Sequence, residues 1–227
     1  MGKFSCKTHS SWDQFFSSRI KKELDIIHEK ISNWPFEPNP ERVLRFATVD
    51  LENINIVILG RDPYFQPSVA TGRAFEVAGI KSWKEKFPQH SLKGIVKLIY
   101  KTYYGQEASY EDIKKSLDAI KLSPPDRLFK EWEQQGVLLL NTALTCQTGK
   151  AGSHQKLWEN FTKELIHFID TQRPNAYWFL WGGYAKGFES EIKNGITIKA
   201  SHPMLHQKFL KSDCLERTSH LVDWRGI

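Results

Sequence analysis

Along the first part of the chain, apolar residues recur at steps of three and four, which is the spacing of one helix face. The series consists of Trp12, Phe15, Phe16, Ile20, Leu24, Ile27 and Ile31. This pattern predicts one helix, with Ser10 or Ser11 as its N-cap. The prolines that follow predict a loop, and they are Pro35, Pro38 and Pro40.

Four short, continuous apolar runs further along predict buried parallel strands. They cover residues 54–59, 137–140, 176–181 and 196–199. Helical patterns lie between them, over 92–103, 127–134 and 157–169. Strands that alternate with helices favour an α/β fold with helices on both faces of the sheet. We therefore expect a three-layer α/β/α architecture around a central four-stranded parallel sheet.

Polar or glycine residues follow each predicted strand. Asp62 comes shortly after the first strand, Asn141 directly after the second, Gly182 after the third and His202 after the fourth. Ligands of open parallel sheets bind beyond the carboxyl ends of the strands, so these residues should converge on one site. Each alone also has a structural interpretation, as a turn cap for Asp62 and as a surface side chain for His202.

Two prolines hold the acidic and basic candidates on stiff loops. Pro63 pushes Asp62 out of the helical region, and Pro203 directly follows His202. A carboxylate can stabilise a developing cation, and an imidazole can donate a hydrogen bond to a developing anion. Breaking a bond into a sugar cation and a base anion needs both. The amide of Asn141 suits the edge of a nucleobase.

The composition fits one globular domain over residues 1–227, with residues 1–34 as a helical segment packed on it. Of the 227 residues, 40% are hydrophobic, and 32 basic against 26 acidic residues give a net charge of +6. No apolar run is long enough for a membrane helix, and the first residues lack the apolar region of a signal peptide. We therefore expect a cytoplasmic protein without a membrane partner.

The sequence offers no pattern for a metal or an organic cofactor, and we expect neither. The three cysteines, Cys6, Cys146 and Cys214, are too far apart for a zinc-ligand spacing. The chain has no GxSxG, no P-loop, no HExxH and no GxGxxG after the first strand.

Basic residues concentrate between Lys81 and Lys101, where six lysines accompany a single Glu85. Trp83, Phe87 and Tyr100 are interleaved with them. Two interpretations stay open, a solvated helix face with its loop and a surface that tracks DNA phosphates.

Several separated motifs resemble the family-1 uracil-DNA glycosylases. GRDPYF at 60–65 is similar to the family's GQDPYH, and the later motifs follow in the family's order: GRAFEV at 72–77, GVLLLNTALT at 136–145, FLWGGYA at 179–185 and SHP at 201–203. The resemblance runs from about Phe36 to Trp224. It implies hydrolysis of the N-glycosidic bond of uracil in DNA, which leaves an abasic site and starts base excision repair. The base must leave the duplex for this reaction.

The resemblance also implies a role for each residue of the site. Asp62 would stabilise the sugar cation and position the water, and His202 would donate to uracil O2. Asn141 would read the base edge, Phe75 would stack on the base, and Tyr64 would exclude a thymine methyl.

The motifs depart from the family at the DNA-contacting positions. Arg61 stands in place of a glutamine and would bind uracil through its backbone N–H, while Phe65 replaces a histidine and Met204 a serine. The implied DNA-binding residues are Ser91, Ser153, His154, Gly183, Leu205 and Lys208. In this set Leu205 would insert into DNA, Gly183 stands where a phosphate-contacting serine is common, and Lys208, or else His206, would replace lost phosphate contacts.

The sequence is compatible with three functions. The first is an active uracil-DNA glycosylase. The second is a DNA-binding or scaffolding homologue with weak or no glycosylase activity, and the third is a glycosylase with altered base specificity. The expected partners are single- and double-stranded DNA that contains uracil, with DNA-mimicking inhibitor proteins as further candidates. The expected oligomeric state is a monomer.

Overall fold

The computed structural model describes residues 4–227, so the first three residues of the predicted N-terminal segment lie outside it. The strands are β1 (Phe36–Glu37), β2 (Ile56–Gly60), β3 (Val137–Asn141), β4 (Cys146–Gln147), β5 (Tyr177–Trp181) and β6 (Ile196–Ala200). Strands β2, β3, β5 and β6 form a parallel sheet in the order β3-β2-β5-β6, whereas β1 and β4 form a separate antiparallel pair. The four predicted strands are therefore confirmed as the central sheet.

The helices cover both faces of this sheet. They are α1 (Ser18–Ile31), α2 (Pro40–Val43), α3 (His90–Tyr104), α4 (Tyr110–Lys115), α5 (Leu117–Ile120), α6 (Pro125–Gln134), α7 (Gln155–Gln172), α8 (Gly183–Lys186), α9 (His206–Phe209) and α10 (Cys214–Arg217). Short 3-10 turns occupy Ser10–Trp12, Arg45–Thr48, Leu51–Asn53 and Glu189–Glu191. Within residues 4–227, none of the helices combines the length and the apolar character needed to cross a membrane.

Alternate residues of the strands pack into two separate hydrophobic clusters, one on each face. Val57 and Leu59 belong to the cluster that contains α1 and α7 side chains. Ile56 and Ile58 belong to the cluster that contains α3 and α6 side chains. Both faces of β2, β3 and β5 are buried, which explains why these strands appear in the sequence as continuous apolar runs. The edge strand β6 buries only Ile198 and Ala200. The expected three-layer α/β/α architecture is confirmed.

The predicted N-terminal helix is wrong in its first half. Residues Ser10–Trp12 form a single 3-10 turn, and α1 begins only at Ser18, with Ser17 rather than Ser10 or Ser11 as its N-cap. The Ser17 hydroxyl accepts a hydrogen bond from the backbone N–H of Ile20 at 3.4 Å. The apolar spacing before this cap reflects an aromatic cluster instead, because Trp12 packs edge-on against Phe46 at 5.2 Å.

The aromatic residues interleaved with the lysines belong mainly to the core. Trp83 and Phe87 are 3% and 6% exposed, so neither ring is free to stack on a nucleobase. The Lys93 ammonium lies 5.2 Å from the centre of the Phe87 ring. Lys101 donates to the backbone carbonyl of Leu210 at 2.5 Å and thereby ties α3 to the segment after α9. These contacts favour the structural interpretation of this stretch.

A buried carboxylate on α7 holds the loop that leads into β6. Asp170 is fully buried and accepts backbone N–H hydrogen bonds from Lys193 at 2.8 Å, Asn194 at 3.0 Å and Gly195 at 2.8 Å. These three backbone N–H groups precede β6, so Asp170 takes the place of a strand partner as their acceptor. The three hydrogen bonds also set the start of the strand that ends near His202.

We expect Asp170→Ala to lower the free energy of unfolding by about 3 kcal/mol, because it removes the buried carboxylate that accepts three backbone N–H hydrogen bonds. Urea denaturation followed by circular dichroism would measure the change. Asp25→Ala on the exposed face of α1 is the matched control and should stay within about 0.5 kcal/mol of the unaltered protein. Equal destabilisation by both substitutions would contradict this role for Asp170.

Candidate active site

The register of the parallel sheet brings the predicted polar residues to one edge. Gly60 at the end of β2 pairs with Asn141 at the end of β3, and Trp181 at the end of β5 pairs with Ala200 at the end of β6. The turns that follow these strands line one cavity of about 540 Å³. Its walls include eight of the residues proposed from sequence: Arg61, Asp62, Tyr64, Phe75, Ser91, Asn141, Gly183 and His202.

Asp62 is held through both of its carboxylate oxygens. Its side chain is only 7% exposed, and Oδ1 accepts a hydrogen bond from Nε of Arg61 at 2.7 Å. Oδ2 accepts a hydrogen bond from the backbone N–H of Gly152. The carboxylate is therefore fixed in position at the cavity wall, and one of its two partners comes from a loop distant in the chain rather than from its own turn.

The His202 ring is poised as a neutral hydrogen-bond donor. Its Nδ1 accepts the backbone N–H of Met204 at 3.2 Å, so the proton of the neutral ring lies on Nε2. Burial lowers the pKa of His202, and the positive charge of Arg61 lowers it further. The loop comes close to α3 because Gly94 has no side chain; a Cβ there would collide with the carbonyl of Pro203.

Asn141 lies at the floor of the cavity and is 4% exposed. A glycine at position 60 is required beside it, because a Cβ on Gly60 would collide with Oδ1 of Asn141 and lie 2.8 Å from Cβ of Ala74. The backbone here is also cross-linked, since the N–H of Thr142 donates to the Gly60 carbonyl at 2.9 Å. The amide is therefore presented on a rigid strand end.

Two aromatic side chains narrow the cavity. Phe75 has a φ of +66°, which a side-chain-bearing residue rarely adopts, and its ring centre lies 5.5 Å from Trp181 and 6.3 Å from His202. The Tyr64 hydroxyl makes a long hydrogen bond of 3.5 Å to the Phe75 carbonyl, and burial raises the pKa of Tyr64. The Tyr64 side chain is thus tied to the backbone of Phe75 at the cavity wall.

The residues proposed to contact DNA do not all share one environment. Ser91 and Gly183 line the cavity, whereas Leu205 is 51% exposed beside it and Lys208 is exposed on α9. Ser153 accepts the backbone N–H of Gln147 at 2.7 Å. His154 is 7% exposed and its Nδ1 lies 3.0 Å from the hydroxyl of Thr145, while burial lowers its pKa. These two side chains already have structural partners.

Sequence reasoning missed several residues of the site. Gly152 is the most important of them, because its N–H orients Asp62 from a position 90 residues away in the chain. Met204 and Tyr184 also line the cavity, and they are 56% and 42% exposed. The available signal for Gly152 was its place directly before the Ser153-His154 pair, where the family resemblance continues.

The cavity thus combines a fixed carboxylate, a neutral imidazole donor and a rigid amide between aromatic walls. This set can stabilise positive charge on one side of a breaking bond and negative charge on the other. In the part of the chain that the structure describes, no group of three or more His, Cys, Asp or Glu side chains is arranged to hold a metal ion.

Comparisons with known proteins show the family of the chain. The family model of the uracil DNA glycosylase superfamily matches residues 46–217. A uracil-DNA glycosylase of Porphyromonas gingivalis is 33% identical over 224 residues, which cover 95% of this chain and 90% of that protein. One of Streptococcus agalactiae is 30% identical and covers 96% of both chains.

Solved structures show the same fold. A UNG structure from Nitratifractor salsuginis has a TM-score of 0.76 at 21% identity and covers 96% of this chain and 92% of that one. A mimivirus UNG solved in complex with UGI has a TM-score of 0.66 at 22% identity, over 86% of this chain and 70% of that one.

We expect Arg61→Gln to raise the pKa of His202 toward its ordinary value, because the substitution removes a positive charge that lowers it. The pKa should stay below the ordinary value, since burial is the larger cause. An NMR titration of the imidazole resonances would measure the pKa of His202 in the unaltered protein and in the variant. Arg127→Gln on the exposed face of α6 is the control, and an equal shift in that variant would contradict the assignment.

Proposed function

The chain belongs to the uracil DNA glycosylase superfamily, and we propose that it hydrolyses the N-glycosidic bond of uracil in DNA through Asp62 and His202. The supporting observation is that Asp62, Asn141 and His202 line one cavity at the carboxyl edge of the sheet. A cavity of this kind takes a single base only after the base has left the stack.

In the proposed reaction, the bond between the sugar C1′ and uracil N1 lengthens and its electron pair leaves with the base. Positive charge then develops on the sugar, and the Asp62 carboxylate stabilises it. A water molecule forms a bond to C1′, and the proton that it releases neutralises the uracil anion, which leaves an abasic site and free uracil. Because the Gly152 N–H already orients Asp62, the carboxylate itself need not turn as the charge develops.

Negative charge develops on the departing base, and His202 stabilises this charge by donating a hydrogen bond. Its Nε2–H donates to uracil O2 while Nδ1 stays bonded to the Met204 N–H. A neutral imidazole keeps its proton during this step and acts as an electrostatic stabiliser.

The remaining wall residues select the base. Asn141 presents a donor and an acceptor to the N3 and O4 edge of uracil, and cytosine, with an amino group at that edge, would leave the amide donor unpaired. Phe75 stacks on the ring. Tyr64 occupies the space that a C5 methyl group would need, so thymine is excluded.

The proposal extends to location and partners. The substrates are single- and double-stranded DNA with uracil, and Ser91, Gly183, Leu205 and Lys208 contact the strand. We also propose that residues 1–227 work as one monomeric domain in the cytoplasm. Free thiols at Cys6, Cys146 and Cys214 are in keeping with a reducing compartment. DNA-mimicking inhibitor proteins remain candidate partners, since UGI is bound in the mimivirus structure.

We expect Asp62→Asn and His202→Ala each to slow uracil excision by about 100-fold to 10,000-fold, because each removes a charge or donor that acts on the transition state. The assay uses oligonucleotides with one uracil, followed by alkaline cleavage of abasic sites. Asp126→Asn and His220→Ala are exposed controls that should keep full activity. Binding without strand scission by the unaltered protein would favour the scaffolding homologue instead.

We expect Tyr64→Ala to excise thymine slowly while it still excises uracil, since the substitution opens the space that the C5 methyl group needs. Tyr64→Phe is the matched control, because it keeps the ring and loses only the hydroxyl contact with Phe75. Parallel assays on uracil and thymine oligonucleotides distinguish the two variants. Thymine excision by the unaltered protein would indicate the third function, an altered base specificity.

A further inference from the structure

Arg61 lines the cavity with a charged side chain that has no role in the proposed reaction, although its backbone N–H is expected to bind uracil. Its carbonyl oxygen is fixed, because it accepts the N–H of Ala143 at 2.9 Å and the hydroxyl of Thr142 at 2.8 Å. The side chain therefore starts from a rigid point at the end of β2. It lines the same cavity as Asp62 and is 47% exposed, so its charged end reaches from the wall to solvent.

In the free protein the guanidinium of Arg61 neutralises the carboxylate that the reaction needs. Nε lies 2.7 Å from Oδ1 of Asp62. A carboxylate paired with a cation stabilises a developing sugar cation less well, since the two positive charges compete for it. The pair must therefore loosen before the bond breaks, or the reaction loses most of the effect of Asp62.

The guanidinium also has capacity for a second anion. Only Nε has an acceptor among the described residues, which leaves both terminal nitrogens of Arg61 free to donate. A guanidinium fork fits a phosphate in a bidentate arrangement. Arg61 and Gly183 line the same cavity, and a Cβ placed on Gly183 would meet no described atom within 4 Å apart from its chain neighbours and its own helix backbone, so the edge of the cavity at Gly183 is open.

Resting on the proposed function, we propose that Arg61 is a positioning residue that exchanges Asp62 for a DNA phosphate. In the free protein it pairs with Asp62. When the uracil nucleotide enters the cavity, a phosphate flanking it captures the guanidinium, and the Asp62 carboxylate is left free to stabilise the sugar cation. Phosphate is the ligand, rather than the departing base, because the guanidinium reaches solvent while the base contacts Asn141, which is buried.

The test is a comparison of the unaltered protein with Arg61→Gln on two substrates. One is a uracil oligonucleotide with all its phosphates, and in the other a neutral methylphosphonate replaces the flanking phosphate on the 5′ or the 3′ side in turn. Excision is measured under single turnover with the enzyme in excess over DNA and below its Kd, so that the rate reports binding and bond breaking together. Arg127→Gln, an exposed arginine of α6, is the matched control and should follow the unaltered protein throughout.

We expect the order of the two proteins to reverse between the substrates. With all phosphates present, Arg61→Gln should be slower by about tenfold or more, because it lacks a charged hydrogen bond to the phosphate. On one of the two methylphosphonates the unaltered protein should be the slower one, since its arginine stays on Asp62. The same order on all substrates, or equal rates for both proteins, would overturn the proposal.

Binding separates this proposal from the proposed function. One phosphate contact contributes about 0.9 to the slope of log affinity against log salt concentration on duplex DNA, so Arg61→Gln should reduce the slope by that amount. Fluorescence anisotropy with the uracil duplex measures it. If the unaltered protein binds with the expected slope difference but excises no uracil, the proposed function fails and the phosphate contact stands. An unchanged slope with normal excision refutes the role of Arg61 alone.

Discussion

The parallel register of four strands is the constraint on which the site depends. Because β3, β2, β5 and β6 run in one direction, their carboxyl ends lie at one edge, and each following turn supplies one wall of the cavity. Gly60 pairs with Asn141 across two strands, so the backbone that leads to Asp62 and the amide of Asn141 are fixed relative to each other by ladder hydrogen bonds. A slip of one residue in this register would turn Asn141 into the opposite face of the sheet.

The burial of the central sheet explains why its strands could be predicted from the sequence. Strands that are dry on both faces must be apolar at every position, so runs such as residues 137–140 predicted both the strands and their end points. The end points then placed Asp62, Asn141 and His202 at one edge through strand polarity alone. The spacing of the aromatic residues around Trp12 did not distinguish a helix from another structure. Trp12 and Phe15 pack on neighbouring rings, and this cluster produces the same spacing as a helix face.

Contacts between distant loops were beyond the reach of sequence reasoning. The N–H of Gly152 that orients Asp62 comes from a turn after β4, and a backbone donor has no residue type by which to recognise it. The ion pair of Arg61 with Asp62 depends on where a flexible side chain points. Likewise, the sequence between Lys81 and Lys101 could not show that Trp83 and Phe87 are buried. Both rings pack in the core, and Lys93 lies against the Phe87 ring.

Arg61 places a positive charge directly beside Asp62, and this has a consequence for His202. Burial and the nearby guanidinium both lower the pKa of His202, so the ring stays neutral and donates one directed hydrogen bond. A second cation on His202 would be repelled by Arg61 and would compete for Asp62. The Arg61 guanidinium is therefore the one positive charge of the site that is proposed to move. When it binds a phosphate instead of Asp62, the Asp62 carboxylate faces the sugar with its full charge.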